Sequence, residues 1–276
     1  MTLTADTVAS HGHYKIFKVS QPYSKQKLPP NGLSIVTPTF NRRVHLERAL
    51  ESIFAQESCG LPVEVLVVND GSTDKTYELF DKPFKNKPDW IDVRYFETGM
   101  PEWTSPANSY NLGFEKAKYN YAVHSGADII WYKPTMLKTM LAACDVDRYL
   151  FVDYYVLNEP QPDRTTKELL GFAKRGRSTL YPWLIVTSIE ALRRVGFYGD
   201  RFKPGAGEDD AIIMKLDTIG VKFCRVDGQL VINQEHKKQY VRDAQWAANT
   251  RHNVRVGHLD SAELRRKMQR GELERF

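Results

Sequence analysis

"LSIVTPTF" (residues 33–40) and, after one intervening helix-like segment, "VEVLVVND" (63–70) decide how this chain folds. Each is a run of strand length, rich in β-branched residues and closed by polar or helix-breaking residues: Pro38 in the first, Asn69 and Asp70 in the second. Runs this continuous suit strands that are covered on both faces. Between them, "RRVHLERALESIFAQ" (42–56) sets Leu46, Ala49, Leu50, Ile53 and Phe54 on one helical face. After the second run, "GSTDKTYELF" offers Ser72 as the N-cap of another helix. Strand, helix, strand, helix predicts right-handed crossovers and a parallel sheet with helices outside it. A ligand then belongs beyond the carboxyl ends of the strands. Thr37, Pro38, Thr39 and Phe40 close the first strand and Asn69 and Asp70 the second, so both tips face one crevice. Asp70 also stands in "DGS", ordinary turn chemistry, and the residues alone leave both readings open.

Outward from this pair, residues 1–32 show little periodicity, end in "LPPNG" and read as an N-terminal extension. "SPANSYNLGFEKAKYNYAVHSGAD" (105–128) reads as a helix returning to a strand that delivers Asp128 to the same sheet edge. The segment 135–145 reads as a helix and 148–158 as a strand. Residues 159–180 are charged and aperiodic, a surface excursion suited to a lid or an acceptor-binding element. A strand and a short helix beginning near Ser188 lead to "GAGEDDAIIMKL" (205–216), where Glu208, Asp209 and Asp210 open a helix carrying Ile212, Ile213, Leu216 and Ile219 and stopped by Gly220. Three acids in a first turn suit the exposed N–H groups and helix dipole there, so an ordinary helix start competes with a functional cluster. "VKFCRVDGQLVINQEH" (221–236) reads as two strands ending at His236, and residues 237–276 as a basic tail ending in a solvated helix.

The chain has 276 residues, 42% of them hydrophobic, enough for a substantial core. Cys59, Cys144 and Cys224 are too few and too scattered for a disulfide framework or a cysteine-based zinc site, which indicates a reducing compartment. No run approaches the ~18 apolar residues of a membrane span, and "MTLTADTVASHGHYK" lacks the apolar core of a signal peptide. A cytoplasmic protein is expected. The formal charge of +5 admits an anionic partner such as a nucleotide, a nucleic acid or a membrane surface without selecting one.

The ordered set "LSIVTPTFNR", "VEVLVVNDGSTD", "NSYNLGFEKAKYNYAVHSGAD", "GAGEDD" and "INQEH" resembles the inverting glycosyltransferases of family two, from about Leu33 to His236. The resemblance implies the GT-A fold: an α/β domain over 33–236 in which a Rossmann-like nucleotide-sugar half (33–130) and an acceptor and catalytic half (131–236) share one central, mostly parallel sheet. It implies that Thr37, Pro38, Phe40 and Asp70 hold the nucleotide, with the Asp70 carboxylate accepting a hydrogen bond from uracil. Asp128 matches the last position of the family's Asp-x-Asp motif, which holds a divalent metal on the diphosphate. The first position is Gly126 here, a departure from the pattern. Glu208 and Asp209 match the family's Glu-Asp pair, with Asp209 as general base, Glu208 orienting acceptor or sugar, and Asp210 binding acceptor hydroxyls.

The chemistry requires this assembly. A departing diphosphate is stabilised by magnesium or manganese held on oxygen ligands, for which Asp128 supplies a carboxylate. His236 would add a nitrogen ligand, favouring manganese, or is a surface histidine beside Lys237 and Lys238, which would meet phosphate charge. The acceptor hydroxyl needs a base, and adjacent acids raise one another's pKa toward the useful range. The expected donor is a UDP-linked sugar and the expected acceptor a carbohydrate or glycolipid, with hydroxylated nucleic acid as the second acceptor class. A nucleotidyltransferase would need a glycine-rich phosphate loop where this chain has "TPTFNRR", and a non-catalytic binding protein on the same scaffold would not need "GEDD".

Overall fold

The structure is a computed structural model that describes residues 7–11, 14–19, 27–99, 105–161, 163–176, 180, 184–204, 206–235 and 243–276. In chain order the elements are β1 (Thr7–His11), β2 (Tyr14–Val19), β3 (Leu33–Thr39), α1 (Arg43–Phe54), β4 (Val63–Asn69), β5 (Ile91–Glu97), α2 (Pro106–Lys116), β6 (Tyr121–Ser125), β7 (Ile129–Trp131) and α3 (Met136–Ala143). They continue as β8 (Arg148–Leu157), α4 (Thr166–Leu169), β9 (Ala173–Arg175), β10 (Leu184–Ser188), α5 (Ile189–Arg194), α6 (Glu208–Thr218), β11 (Lys222–Asn233) and α7 (Ala244–Gln269).

One sheet runs β1-β2-β11-β8-β10-β6-β3-β4-β5, with β7 paired to β11 and β9 to β8. The pairs β2–β11, β11–β8, β6–β3, β3–β4 and β4–β5 are parallel. β10 lies antiparallel between β6 and β8 and joins the two parallel regions. This is the mixed, mostly parallel α/β sheet expected of the GT-A fold.

Side-chain alternation divides the core into two layers. Leu33 and Ile35 of β3 join Val63, Val65 and Val67 of β4, Leu46 and Leu50 of α1 and Met136 and Met140 of α3 on one face. Val36, Leu66 and Val68 join Phe114 of α2, Leu192 of α5, Ile212 and Leu216 of α6 and Val256 and Leu264 of α7 on the other. The polar exceptions inside the two diagnostic strands partner each other: the buried Ser34 hydroxyl donates to Glu64 at 2.7 Å, and Arg94 donates to the same carboxylate at 2.7 Å.

Several expectations are corrected. No α-helix follows β4, only a 3₁₀ turn over Thr76–Phe80. Ser72 does not cap it, because its hydroxyl donates to Asn69 and accepts from the Asn41 N–H instead. Strand β5, not anticipated, forms the sheet edge beside β4. Where two strands were expected over 221–236, Lys222–Asn233 forms one long strand with an irregularity between Arg225 and Leu230. The first 32 residues contribute β1 and β2, whose Ile16 and Val19 are buried against the sheet. The C-terminal helix has a packed face: Asn253, Val256, Gly257, Ser261 and Leu264 are buried, and α7 lies along α6.

Gly113 lets α2 approach β3, since a Cβ there would stand 2.2 Å from Cγ1 of Val36. In an exposed helix Gly→Ala gains roughly 1 kcal/mol. Here the overlap, at about 1–3 kcal/mol for overpacking, should win. Gly113→Ala should lower the urea unfolding midpoint; a raised midpoint would show that Val36 yields freely.

Candidate active site

The carboxyl ends of β3 and β4 are stitched together residue by residue. Thr39 lies opposite Asn69, and the Asp70 N–H donates to the Thr39 carbonyl at 2.9 Å. Beyond the strands, Asn41 takes a left-handed backbone conformation (φ 50°), its side-chain oxygen accepts from the Thr73 N–H at 2.7 Å, and the Arg43 N–H donates to Asp74 at 2.9 Å. The two loops are therefore one wall. Within it Thr37 is buried, Pro38 and Phe40 are half-buried, and Asp70 is only 2% exposed. The Thr98 hydroxyl, just past β5, donates to Asp70 at 2.8 Å and fixes the carboxylate. Thr98 was missed from sequence; the alternating edge strand "IDVRYFE" before it was the available signal.

Asp128 lies in the tight turn between β6 and β7, where the Ile129 N–H donates to the Gly126 carbonyl at 3.1 Å. Its own carbonyl accepts from Gln234 at the end of β11, at 2.9 Å, so the last residues of that strand border the turn. A Cβ on Gly126 would stand 2.7 Å from Oδ1 of Asp128, so the one carboxylate occupies space beside the position where the family has a second. His236, the other residue assigned to a metal, lies outside the described residues, as do Lys237 and Lys238.

The three acids open α6 as expected. Gly207 precedes them at φ 97°, and a Cβ on it would also meet Val254 of α7 at 2.9 Å. Glu208 is 7% exposed, and its Oε2 has no hydrogen-bond partner among the described residues. Burial, then the charges of Asp209 and Asp210, push its carboxyl up to about 8. Burial, then Asp210, pushes Asp209 up to about 7.

Tyr110 of α2 links the two sets of acids. Its buried phenol is held well above its ordinary pKa by burial first, then by Asp209, Asp128 and Glu208. The charges of Asp128, from the β6–β7 turn, and of Glu208 and Asp209, from the start of α6, are thus all felt by one buried phenol. Tyr149 and Tyr198, also buried, feel Asp209 in the same way. The charge of Asp210 also reaches Tyr14 of β2, together with that of Asp217.

The sequence model of glycosyl transferase family 2 matches residues 34–202, more than half of the chain. The chain belongs to that family. Chondroitin synthase of Pasteurella multocida is 25% identical over 246 residues, covering 74% of this chain and 25% of its own. Three uncharacterised bacterial glycosyltransferases are likewise spanned by this chain over only a fifth to a half of their length. Among solved structures, S. aureus TarS 1-349 in complex with UDP-GlcNAc superposes with a TM-score of 0.61 at 17% identity, covering 83% of this chain and 66% of that one. Mannosyltransferase PcManGT from Pyrobaculum calidifontis, in complex with GDP-Man and Mn2+, gives 0.53 at 18% identity, with 90% and 76% covered. These similarities establish the fold of this family 2 glycosyltransferase. The matched region ends before Glu208, so the acid cluster lies beyond it.

The raised carboxyls carry a stability signature. A carboxyl whose native pKa exceeds its unfolded value holds more protons folded than unfolded, so stability falls as pH rises through that window. For Asp209 the window runs from the ordinary aspartate value of ~3.9 to about 7. Asp209→Asn should therefore melt higher than the parent at pH 8, with the difference vanishing near pH 4. Each 1 kcal/mol gained corresponds to roughly 2–4 °C in a chain of this size. Calorimetric melting at both pH values reads it, and an equal difference at the two would refute the shifted pKa.

Proposed function

We propose that this glycosyltransferase is an inverting enzyme that moves a sugar from a nucleotide-diphosphate donor, UDP-linked, to a hydroxyl of a carbohydrate or glycolipid. The observation that carries this reading is that the charges of Asp128, Glu208 and Asp209 all reach the buried Tyr110 phenol. It supports a reading in which a diphosphate-side carboxylate and the base serve one site. The UDP-GlcNAc complex of TarS supports the donor class, and the sequence similarity to a chondroitin synthase supports a carbohydrate acceptor.

In this reading the wall formed by Thr37, Pro38, Phe40 and Asp70 binds the base and ribose, with Asp70 presented by Thr98. Asp209 takes the proton of the acceptor hydroxyl as its oxygen forms a bond to the anomeric carbon. The bond from that carbon to the diphosphate oxygen breaks on the opposite face, the nucleoside diphosphate leaves with the electron pair, and the configuration inverts. Glu208, with an oxygen that no described residue engages, orients the sugar or acceptor, and Asp210 contributes to the acceptor side. Burial raises the base into the range where proton transfer is efficient at neutral pH.

A divalent ion fits this site if the diphosphate supplies most of its ligands. Among the described residues no group of three or more His, Cys, Asp or Glu could hold a metal ion. Magnesium and manganese sites on phosphates commonly use one or two carboxylates plus substrate oxygens, and Asp128 offers one, with His236 as the second candidate. When bound, the ion would neutralise charge on the departing diphosphate. The manganese complex of PcManGT supports it. Among the described residues no helix is long and apolar enough to cross a membrane.

A transfer assay on a panel of nucleotide sugars and oligosaccharide acceptors tests the reading, with the anomer of the product read by NMR. Asp209→Asn should lower kcat by about 10²- to 10⁴-fold while leaving the Kd for nucleoside diphosphate within about twofold; full transfer by that variant would overturn the base. Asp70→Ala should weaken uridine diphosphate selectively in calorimetry. Asp128→Ala should abolish the difference in nucleotide affinity between manganese and chelator, and a parent protein indifferent to chelator would remove the metal from the scheme. Transfer to hydroxylated DNA or RNA in place of oligosaccharides would reassign the acceptor.

A further inference from the structure

The segment that carries chain from α5 to α6, residues 195–207, contains no helix or strand among its described residues, yet it aims the first turn of α6. Its last part is held by α7. The Asn253 side chain, wholly buried, accepts from the Lys203 N–H at 2.9 Å and donates to the carbonyls of Lys203 at 2.9 Å and Ala206 at 3.1 Å. All three hydrogen-bonding positions used lie on one main-chain stretch, and both amide protons and the oxygen are engaged. One turn earlier the Thr250 hydroxyl accepts from the Ala206 N–H at 3.1 Å, and Asn249 donates to the Pro204 carbonyl at 2.7 Å. Gly207 then passes so close to Val254 and the Thr250 carbonyl that no side chain fits. Further along, Gly257 packs on Ala211, where a Cβ would stand 2.7 Å away, and Lys215 of α6 reaches Asp260 of α7 at 3.8 Å and the Phe197 carbonyl at 2.6 Å.

We infer that Asn253 is a positioning residue for the reaction: through the main chain of Lys203 and Ala206 it fixes the Gly207–Glu208–Asp209 turn and so the place of the Asp209 carboxylate. This rests on Asp209 being the base. Asn253 touches neither donor nor acceptor in this scheme; it acts through three hydrogen bonds, on a helix outside the matched family region. Side chains at 249, 250 and 253 share one helical face, so a single helix registers the loop at three successive points. Misplacing a reacting group by about 1 Å can cost ~10²-fold in rate, whereas the nucleotide wall on β3 and β4 is built from other elements.

The groups that face Asp209 are Glu208 and Asp210 on its own helix and Tyr110, Tyr149 and Tyr198 from α2, β8 and the loop after α5. None is altered by a substitution at 253. Asp209 is half-buried, and a loosened turn would expose it further and move the acid limb of kcat down toward the ordinary carboxylate range.

The test uses the full chain with Asn253→Leu, which keeps the approximate volume, adds no charge and loses all three bonds, and Thr250→Val, a milder variant should the first fail to fold. Hydrogen exchange at Lys203, Ala206 and Gly207, kcat and donor KM across pH, and nucleoside diphosphate affinity are measured on each. Faster exchange at those amides, a kcat lowered about 10- to 100-fold with donor KM and nucleotide Kd within about twofold, and an acid limb moved to lower pH are the expected result. Unchanged exchange, or faster exchange with unchanged kcat and acid limb, would overturn it. If Asp209→Asn itself proves fully active, the base assignment fails, while the exchange measurement still decides whether Asn253 holds the loop.

Discussion

The wall built at the ends of β3 and β4 depends on the register between those two strands. The parallel pairing sets Ser34 beside Glu64 at one end and Thr39 beside Asn69 at the other. At the first end a buried carboxylate takes the Ser34 hydroxyl, Arg94 and the Lys118 N–H, an arrangement that no shifted pairing could satisfy. At the second the Asp70 N–H closes on Thr39. Slipping one residue would turn the apolar set of a strand to the wrong face and carry Asp70 away from Thr98. A buried Glu is costly without partners; here its partners make it a register pin.

The second half of the sheet reaches the same crevice by a different route. Antiparallel β10 joins β6 to β8, so helices on the far side of the join pack under the same surface that α2 covers. Tyr110, Tyr149 and Tyr198 form the aromatic floor between them, with the Tyr110 and Tyr198 rings 5.6 Å apart and nearly parallel. Acids laid against such a floor lose solvation, and Glu208 and Asp209 also repel each other. That strain persists because Gly207 and the α6–α7 contact leave the helix start nowhere else to go.

What the sequence disclosed follows the same division. Strands β3, β4 and β6 and helices α1 and α6 are legible because their signals are local: continuous apolar runs, a single helical face, a glycine stop at Gly220. The short acids at strand ends are legible for the same reason. Ser72 misled because its hydroxyl is claimed by Asn69 and Asn41, the latter a partner from another loop. Strand β5 alternates only weakly and becomes a strand by pairing along the whole of β4. The packed face of α7 was hidden among charges, since Asn253, Gly257 and Ser261 are not hydrophobic and acquire meaning only against residues 203–211.

The two neighbouring acids at the start of α6 have a thermodynamic consequence for ligand binding. Burial and the neighbouring acid charges raise both carboxyls, so the pair holds protons to higher pH than exposed carboxylates do. In the proposed scheme, a hydroxyl that docks against the pair would favour one protonation state over the other, so complex formation would take up or release protons. The heat of binding would then contain the ionisation heat of the buffer, and the apparent affinity for an acceptor would change with pH even before any bond is made or broken.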